Sequence, residues 1–226
     1  IFCYNYTMFK HVDSPLLEEI SAVTDDSGRY YSTPTGKLPS VTTVTGFKKS
    51  KFFAKWRAKN PREAKRVTSR GNTFHQLIED YLNNEFILPR DRDTVLPNIL
   101  ELFLQLKPEL DKIDNIVALE VPLWSTSVGL AGRVDCVAEH DGTLSIIDFK
   151  GSTRTKRRGD IENYFLQATA YALMWQDRTG TAIDRFKILI SCEDGGVQVF
   201  EGRPIDYTEK LFNEIRDYQE SKGLFG

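Results

Sequence analysis

The period of the apolar residues changes partway along the chain. Phe74, Leu77, Ile78 and Tyr81 fall three and four apart, the spacing that puts side chains on one helix face. Helix is expected from about 50 to 59. It breaks at Asn60-Pro61 and restarts to about Asn83, because Asn caps well and Pro fits a first helical turn. Residues 97–112 read as another helix, kinked at Pro108, and "LPRDRD" at 88–93 reads as a loop. From Ile116 the pattern becomes strand-like. "IVALEVPLW" alternates, and the runs 128–139 and 143–150 meet at a tight turn. A helix over about 161–178 stops at Gly180. Strands at 185–192 and 197–201 flank the turn "EDGG". A last helix starts near Asp206, where Asp206 and Glu209 have capping-box spacing, and ends near Gly223. Residues 28–46, rich in Gly, Pro and Thr, read as turns and short strands. Helices first, then β-β-β-α-β-β-α, makes an α/β fold. No linker interrupts it. One domain, 1–226, is expected, with 1–115 a mainly helical N-terminal subregion and 116–226 the α/β core.

Composition narrows the class. Of 226 residues, 40% are hydrophobic and 27% charged, as in a soluble globular chain. No run approaches the ~18 apolar residues of a membrane span, so no membrane partner is expected. The start lacks the charged and apolar regions of a secretory signal. Met8 offers a start, with residues 1–7 an upstream extension. Cys3, Cys136 and Cys192 lack metal-ligand spacing. That argues for a reducing compartment, the cytoplasm, without disulfides or an iron–sulfur cluster.

The net charge of −2 conceals an asymmetry. Residues 48–70 carry ten positive side chains against Glu63 alone, and "RTKRR" at 154–158 adds four more. A charge run is commonly just a solvated helix face. Here it is interleaved with Phe47, Phe52, Phe53 and Trp56. Concentrated cations attract polyanions by releasing counterions, and aromatic rings stack on unpaired bases. Lys49, Lys51, Lys55, Trp56 and Arg70 are therefore candidate DNA contacts, as are Lys156, Arg157 and Arg158.

The stretch "GLAGRVDCVAEHDGTLSIIDFKGS" at 129–152 poses a sharper problem. Asp141-Gly142 is a two-residue hairpin signal, since both positions tolerate positive φ. That turn sets His140 opposite Thr143, Val137 opposite Ile146, and Asp135 opposite Asp148. Facing Cβ atoms lie only ~4.5–5.5 Å apart. Two like charges there repel by roughly 3–4 kcal/mol at an effective dielectric of ~20. One acid could stay protonated, a base such as Lys150 or Arg133 could bridge them, or a divalent cation could sit between. Lys150 shares their face, two residues beyond Asp148. Hard cations such as Mg²⁺ favour carboxylates and keep several waters.

"GRVD", followed after twelve residues by "IIDFK", resembles the signature of the PD-(D/E)XK nucleases, an Asp…(D/E)-X-Lys set on a β-hairpin. The nominal initial Pro is absent. "RGNTFHQLIEDYL" at 70–82 is similar to the upstream helix of the RecB-like exonuclease branch, and "LQATAYALMW" at 166–175 to its downstream Gln-x-x-x-Tyr helix. With "PSVTTVTGF" ahead of a basic helix, the layout resembles phage-encoded RecB-like exonucleases and the mitochondrial genome maintenance exonuclease family. The resemblance covers roughly residues 8–220.

What the resemblance implies can be stated by residue. The fold would be restriction-endonuclease-like, a mixed β-sheet flanked by helices. Asp135 and Asp148 would ligate the metal together with the Phe149 carbonyl and His75. Imidazole favours Mn²⁺ more than Mg²⁺. Lys150 would position the attacking water and stabilise charge on the phosphate. Gln167 and Tyr171 would align a phosphate or the lysine. Glu79 and Glu120 are supporting acids, with a plain solvent-facing role open for Glu79. Tyr30, Tyr31, Thr42 and Thr43 lie in a segment that helps form the substrate passage in relatives. The implied activity is a Mg²⁺- or Mn²⁺-dependent DNA exonuclease acting on single-stranded ends, in phage-type replication, recombination or repair. The alternatives are a structure-specific or flap endonuclease of the same fold and a non-catalytic DNA-binding protein.

Overall fold

The computed structural model describes residues 8–15, 17–25, 28–86 and 95–223. The expected loop at 88–93, Cys3 and the segment 1–7 lie outside the described residues. Strands β1 (Ser21–Asp25), β2 (Gly28–Thr33) and β3 (Gly36–Pro39) form a small antiparallel sheet. Helices α1 (Val41–Thr45), α2 (Phe47–Lys59), α3 (Pro61–Leu82) and α4 (Pro97–Leu110) follow. The core then runs β4 (Ile113–Ser125), β5 (Leu130–His140), β6 (Thr143–Ser152), α5 (Glu162–Thr179), β7 (Phe186–Cys192), β8 (Gly196–Gly202) and α6 (Thr208–Ser221). Its five strands lie in sequence order; β6 and β7 are parallel, across the α5 connection, and the other pairs antiparallel.

Strand alternation sets the layering, with a break at Asp135, on either side of which Val134 and Cys136 fall on opposite faces. Val134, Val137, Ile146, Ile188 and Ile190 pack with α1, α5 and α6. Cys136, Ala138, Ile147, Phe149 and Leu189 pack with α3 and α4. Both sheet faces are covered, so β5–β7 are buried at most positions. Polar residues buried in that sheet therefore stand out.

Several local expectations need correction. The short strands expected within 28–46 form as β2 and β3, with Gly28 and Gly36 at positive φ in the turns, but β1 joins them and Val41–Thr45 is helical. Helix α2 starts at Phe47, straight after the Gly46 end of α1. Asn60 does not cap α3; its Nδ2 donates to the Trp56 carbonyl and closes α2 instead. The Asp206–Glu209 box does not form, because Pro204 opens a 3-10 turn through Asp206 and α6 begins two residues later. Strand β4 begins at Ile113, earlier than its alternation indicates, with a register shift between Asp114 and Ala118.

Candidate active site

Three strands bring three acids into one row. The β5–β6 ladder runs from His140↔Thr143 to Cys136↔Ile147. The paired register ends there, one step short of Asp135 and Asp148, whose charges still act on each other. The β4–β5 register pairs Leu119 with Cys136 and Val121 with Val134, which sets Glu120 beside Asp135. Regular pairing gives way along this row. Glu120 has φ +48°, a conformation uncommon outside Gly and Asn. The Phe149 N–H is taken by the Asp135 carboxylate, N to Oδ2 2.9 Å.

His75 reaches the row from α3. Its Nδ1 lies 3.7 Å from Glu120 Oε1 and 3.7 Å from Asp135 Oδ2. The ligand atoms of His75, Glu120 and Asp135 all fall within 4.8 Å of one another. Burial works against a charge on His75, but the Asp135 carboxylate, with Glu120 beside it, outweighs that and raises its pKa. Glu120, expected as a supporting acid, is one of the three residues whose donor atoms converge. Asp148 is set apart from that trio. Lys150 Nζ lies 2.6 Å from each of its oxygens, yet only Oδ1 accepts a hydrogen bond in good geometry. Asp148 Oδ2 is buried and has no hydrogen-bond partner.

The electrostatics follow from this packing. Burial pushes the Asp148 carboxyl up to about 6, with the Lys150 charge opposing and the Asp135 charge adding. Burial disfavours the Lys150 ammonium, but Asp148 and Asp135 overcome that and hold its pKa above the ordinary lysine value. Lys150 is thus held in its charged form beside Asp148, to which it donates. Of the two bases open to the sequence, Lys150 pairs with Asp148. Arg133 turns instead to the Glu120 carbonyl and to Glu19.

Helix α5 supplies the opposite wall. Gln167 Nε2 lies 3.5 Å from the Tyr171 hydroxyl, and both residues are buried. Gly132 makes this approach possible: a Cβ there would sit 2.9 Å from Tyr171 Cε1 and 3.0 Å from its hydroxyl. Burial, then the Asp135 charge, pushes the Tyr171 phenol well up. Lys150 Nζ also lies 5.3 Å from the Tyr164 ring centroid. Tyr164 was missed in the sequence, although its spacing of three and seven from Gln167 and Tyr171 puts it on their helix face.

His75, Glu120, Asp135, Gln167 and Tyr171 line a cleft of about 530 Å³, walled also by Glu79, Tyr31, Thr42 and Arg29, whereas Asp148 and Lys150 are not among its lining residues. Burial first and Glu120 second raise the pKa of Glu79. It lies at the cleft, half-buried, and does not simply face solvent.

The basic candidates divide. Lys49, Lys51 and Lys55 are exposed on α2, with Trp56 half-exposed, and α2 buries none of its residues. Arg70 does not belong with them. It is 7% exposed and paired with Glu193, so it ties α3 to the β7–β8 turn. Arg158 is likewise engaged, donating to the Glu201 carbonyl and the Tyr207 hydroxyl and lying over Phe165. Lys156 joins Gln198 through its backbone, and Arg157 is exposed.

A mixed sheet with an acid row, a lysine two residues beyond its last acid and a Gln–Tyr helix beside it defines a class. The chain belongs to the PD-(D/E)XK nuclease superfamily, whose profile matches residues 88–222. That span holds Glu120, Asp135, Asp148, Lys150, Gln167 and Tyr171, while His75 precedes it. Human mitochondrial genome maintenance exonuclease 1 is 30% identical over 109 residues, which cover 46% of this chain and 30% of that protein. The chain therefore matches under a third of that relative's length. A crystal structure of a candidate exonuclease from Eubacterium rectale aligns at TM-score 0.45 and 10% identity, over 70% of this chain and 67% of that one. Among the described residues no helix is long and apolar enough to cross a membrane.

PD-(D/E)XK nucleases use divalent metal ions. The donors here fit such an ion. An imidazole and two carboxylates converge, and a fourth oxygen, Asp148 Oδ2, is buried without a hydrogen bond. Carboxylates with one imidazole suit Mn²⁺ as well as Mg²⁺.

Proposed function

We propose that the chain is a metal-dependent DNA exonuclease that hydrolyses phosphodiester bonds from single-stranded ends. The observation that carries this reading is the convergence of His75, Glu120 and Asp135 in one cleft, within charge-interaction range of the buried Asp148–Lys150 pair. His75, Glu120, Asp135 and Asp148 would hold Mg²⁺ or Mn²⁺, with the Phe149 carbonyl as a further donor. When bound, the cation supplies Lewis-acid polarisation of the phosphate and lowers the pKa of water.

The remaining chemistry belongs to the chain. Lys150 keeps its proton on Nζ and donates to water or to a phosphate oxygen, stabilising charge that grows in the transition state. Gln167 and Tyr171 stand close enough to position that oxygen. Both are donors, and the Tyr171 phenol stays protonated at neutral pH. The acids alone would repel a phosphodiester. Neutralising them is the condition for substrate entry. Exposed cations and rings on α2 favour an unpaired strand over a duplex, whose bases are already stacked.

The test uses end-labelled linear and circular single-stranded DNA with Mg²⁺, Mn²⁺ or EDTA. Linear strands should be shortened only with metal, and circles should survive. Lys150→Ala should lower turnover by on the order of 10²–10³-fold, as loss of one transition-state donor does. Cut circles would make the protein an endonuclease. Binding without metal-dependent cleavage would make it a DNA-binding protein of the same fold.

A further inference from the structure

A second cleft adjoins the acid cleft on the other side of α1. Its volume is about 910 Å³, and both clefts are lined by Thr42. Its wall includes one face of α2: Lys49, Phe53 and Arg57, four residues apart along the helix. At 1.5 Å per residue this stripe is about 12 Å long.

The cations of this wall differ in how they are used. Lys48 is held by Glu214 and Asp217 at 2.6 and 2.7 Å. Among the described residues no ion pair holds Lys49 or Arg57, and Phe53 is 45% exposed although it serves no core. Among the described residues the wall's one acid, Asp25, lies 3.8 Å from Lys37. A protein of net charge −2 thus keeps a cation–ring–cation stripe in the cleft that adjoins its acid cleft at Thr42.

The geometry points to a strand-holding site in this second cleft. Nucleotides adjoining the phosphodiester at the acid row pass Thr42 and lie along α2. Lys49 and Arg57 contact their phosphates, and an unpaired base stacks on Phe53. The inference rests on the nuclease reading and deepens it. It assigns Phe53 and Arg57, whereas Lys55 and Trp56 do not line the groove. Bases within a duplex have no free face for Phe53, so this site selects single strands.

Fluorescence anisotropy with labelled oligothymidylate in EDTA reads binding without cleavage. Phe53→Ala should weaken binding by on the order of tenfold, from loss of one base–ring stack. Lys49→Ala with Arg57→Ala should flatten the plot of log affinity against log salt by about 1.4, at ~0.7 per single-strand phosphate. An iodouridine-substituted strand, photocrosslinked to the unmodified protein, should attach to the peptide carrying Phe53; that result needs no variant to fold. Cross-links confined to the acid cleft, or variants with wild-type affinity and salt slope, overturn the groove and leave the nuclease reading standing, provided the wild type cuts single strands. A wild type that neither binds nor cuts single strands removes both.

Discussion

The acid row and helix α2 solve opposite problems. The row concentrates negative charge inside a sheet, where the cost of burial is high, and every member is positioned by a neighbour. Phe149 N–H holds Asp135, Lys150 holds Asp148, and Arg133 braces the Glu120 backbone. Helix α2 spreads positive charge over a surface that buries nothing. Chemistry on a phosphodiester needs groups fixed to a fraction of an ångström, which a sheet layered between helices supplies. Holding a flexible strand needs only charge and an exposed ring. Changes in the row should therefore alter metal binding, turnover or folding, and changes on α2 should alter affinity and its salt dependence.

The largest expected effect in metal binding comes from Glu120→Gln. It keeps shape and removes one of three converging charges. Affinity for Mn²⁺ should fall by at least the ~10–100-fold typical of losing a partner around a metal. The readout is the Mn²⁺-induced rise in Tm, which follows occupancy. An unchanged rise would return Glu120 to a purely supporting role.

Proton competition comes next. Asp148 is pushed up to about 6 and His75 is raised, and both must lose a proton before binding metal. An acid whose folded pKa lies above its unfolded one loses stability as pH rises between the two. A raised histidine does the same through its folded pKa. As far as these groups decide it, the metal-free protein is more stable in mild acid, and the metal-bound protein gains as pH rises. The Mn²⁺-induced rise in Tm should therefore shrink below about pH 6, with apparent affinity falling about tenfold per pH unit for each proton that must leave. A flat profile would remove Asp148 and His75 from the ligand set.

Gly132→Ala probes the wall behind the row. The new methyl would meet Tyr171 at 2.9–3.0 Å and Val41 Cγ2 at 3.3 Å. Tyr171 is buried and cannot swing clear. Overpacking of this kind costs about 1–3 kcal/mol, and each kcal/mol lowers Tm by about 2–4 °C at this chain length. Calorimetry checks it, and an unaltered Tm would mean the wall yields.

Which parts were legible in the sequence follows from the range of the forces involved. The Asp141-Gly142 turn was readable because its positive φ values, 51° and 73°, are a local demand met by local residue types. The stop of α5 at Gly180, φ 75°, was readable for the same reason. Register then carried Cys136 to Ile147, the pair next to the two aspartates, without any knowledge of the fold. Glu120 was harder. Its place depends on a strained residue in an edge strand and on an arginine from the next strand, neither of which leaves a periodic trace. Caps failed where a competing partner lay nearby, as Trp56 did for Asn60. Arg70 was misread because charge counting along a helix ignores where each side chain ends.

Arg70 offers the smallest effect and the cleanest separation of the two regions. It belongs by sequence to the basic run and by structure to the interior, paired with a Glu193 that is 28% exposed. Arg70→Met keeps the apolar stem and removes the pair. A hydrogen bond between charged groups is worth about 1.5–3 kcal/mol, and Glu193's contact with solvent reduces this to about 1–2 kcal/mol. Tm should fall by a few degrees, since α3 loses its tie to the β7–β8 turn. The salt slope for oligothymidylate should stay at the wild-type value, whereas Lys49→Ala should lower it by ~0.7. A slope that falls with Arg70→Met would mean that Glu193 releases the arginine to the strand, and the line between structural and strand-holding cations would have to be redrawn.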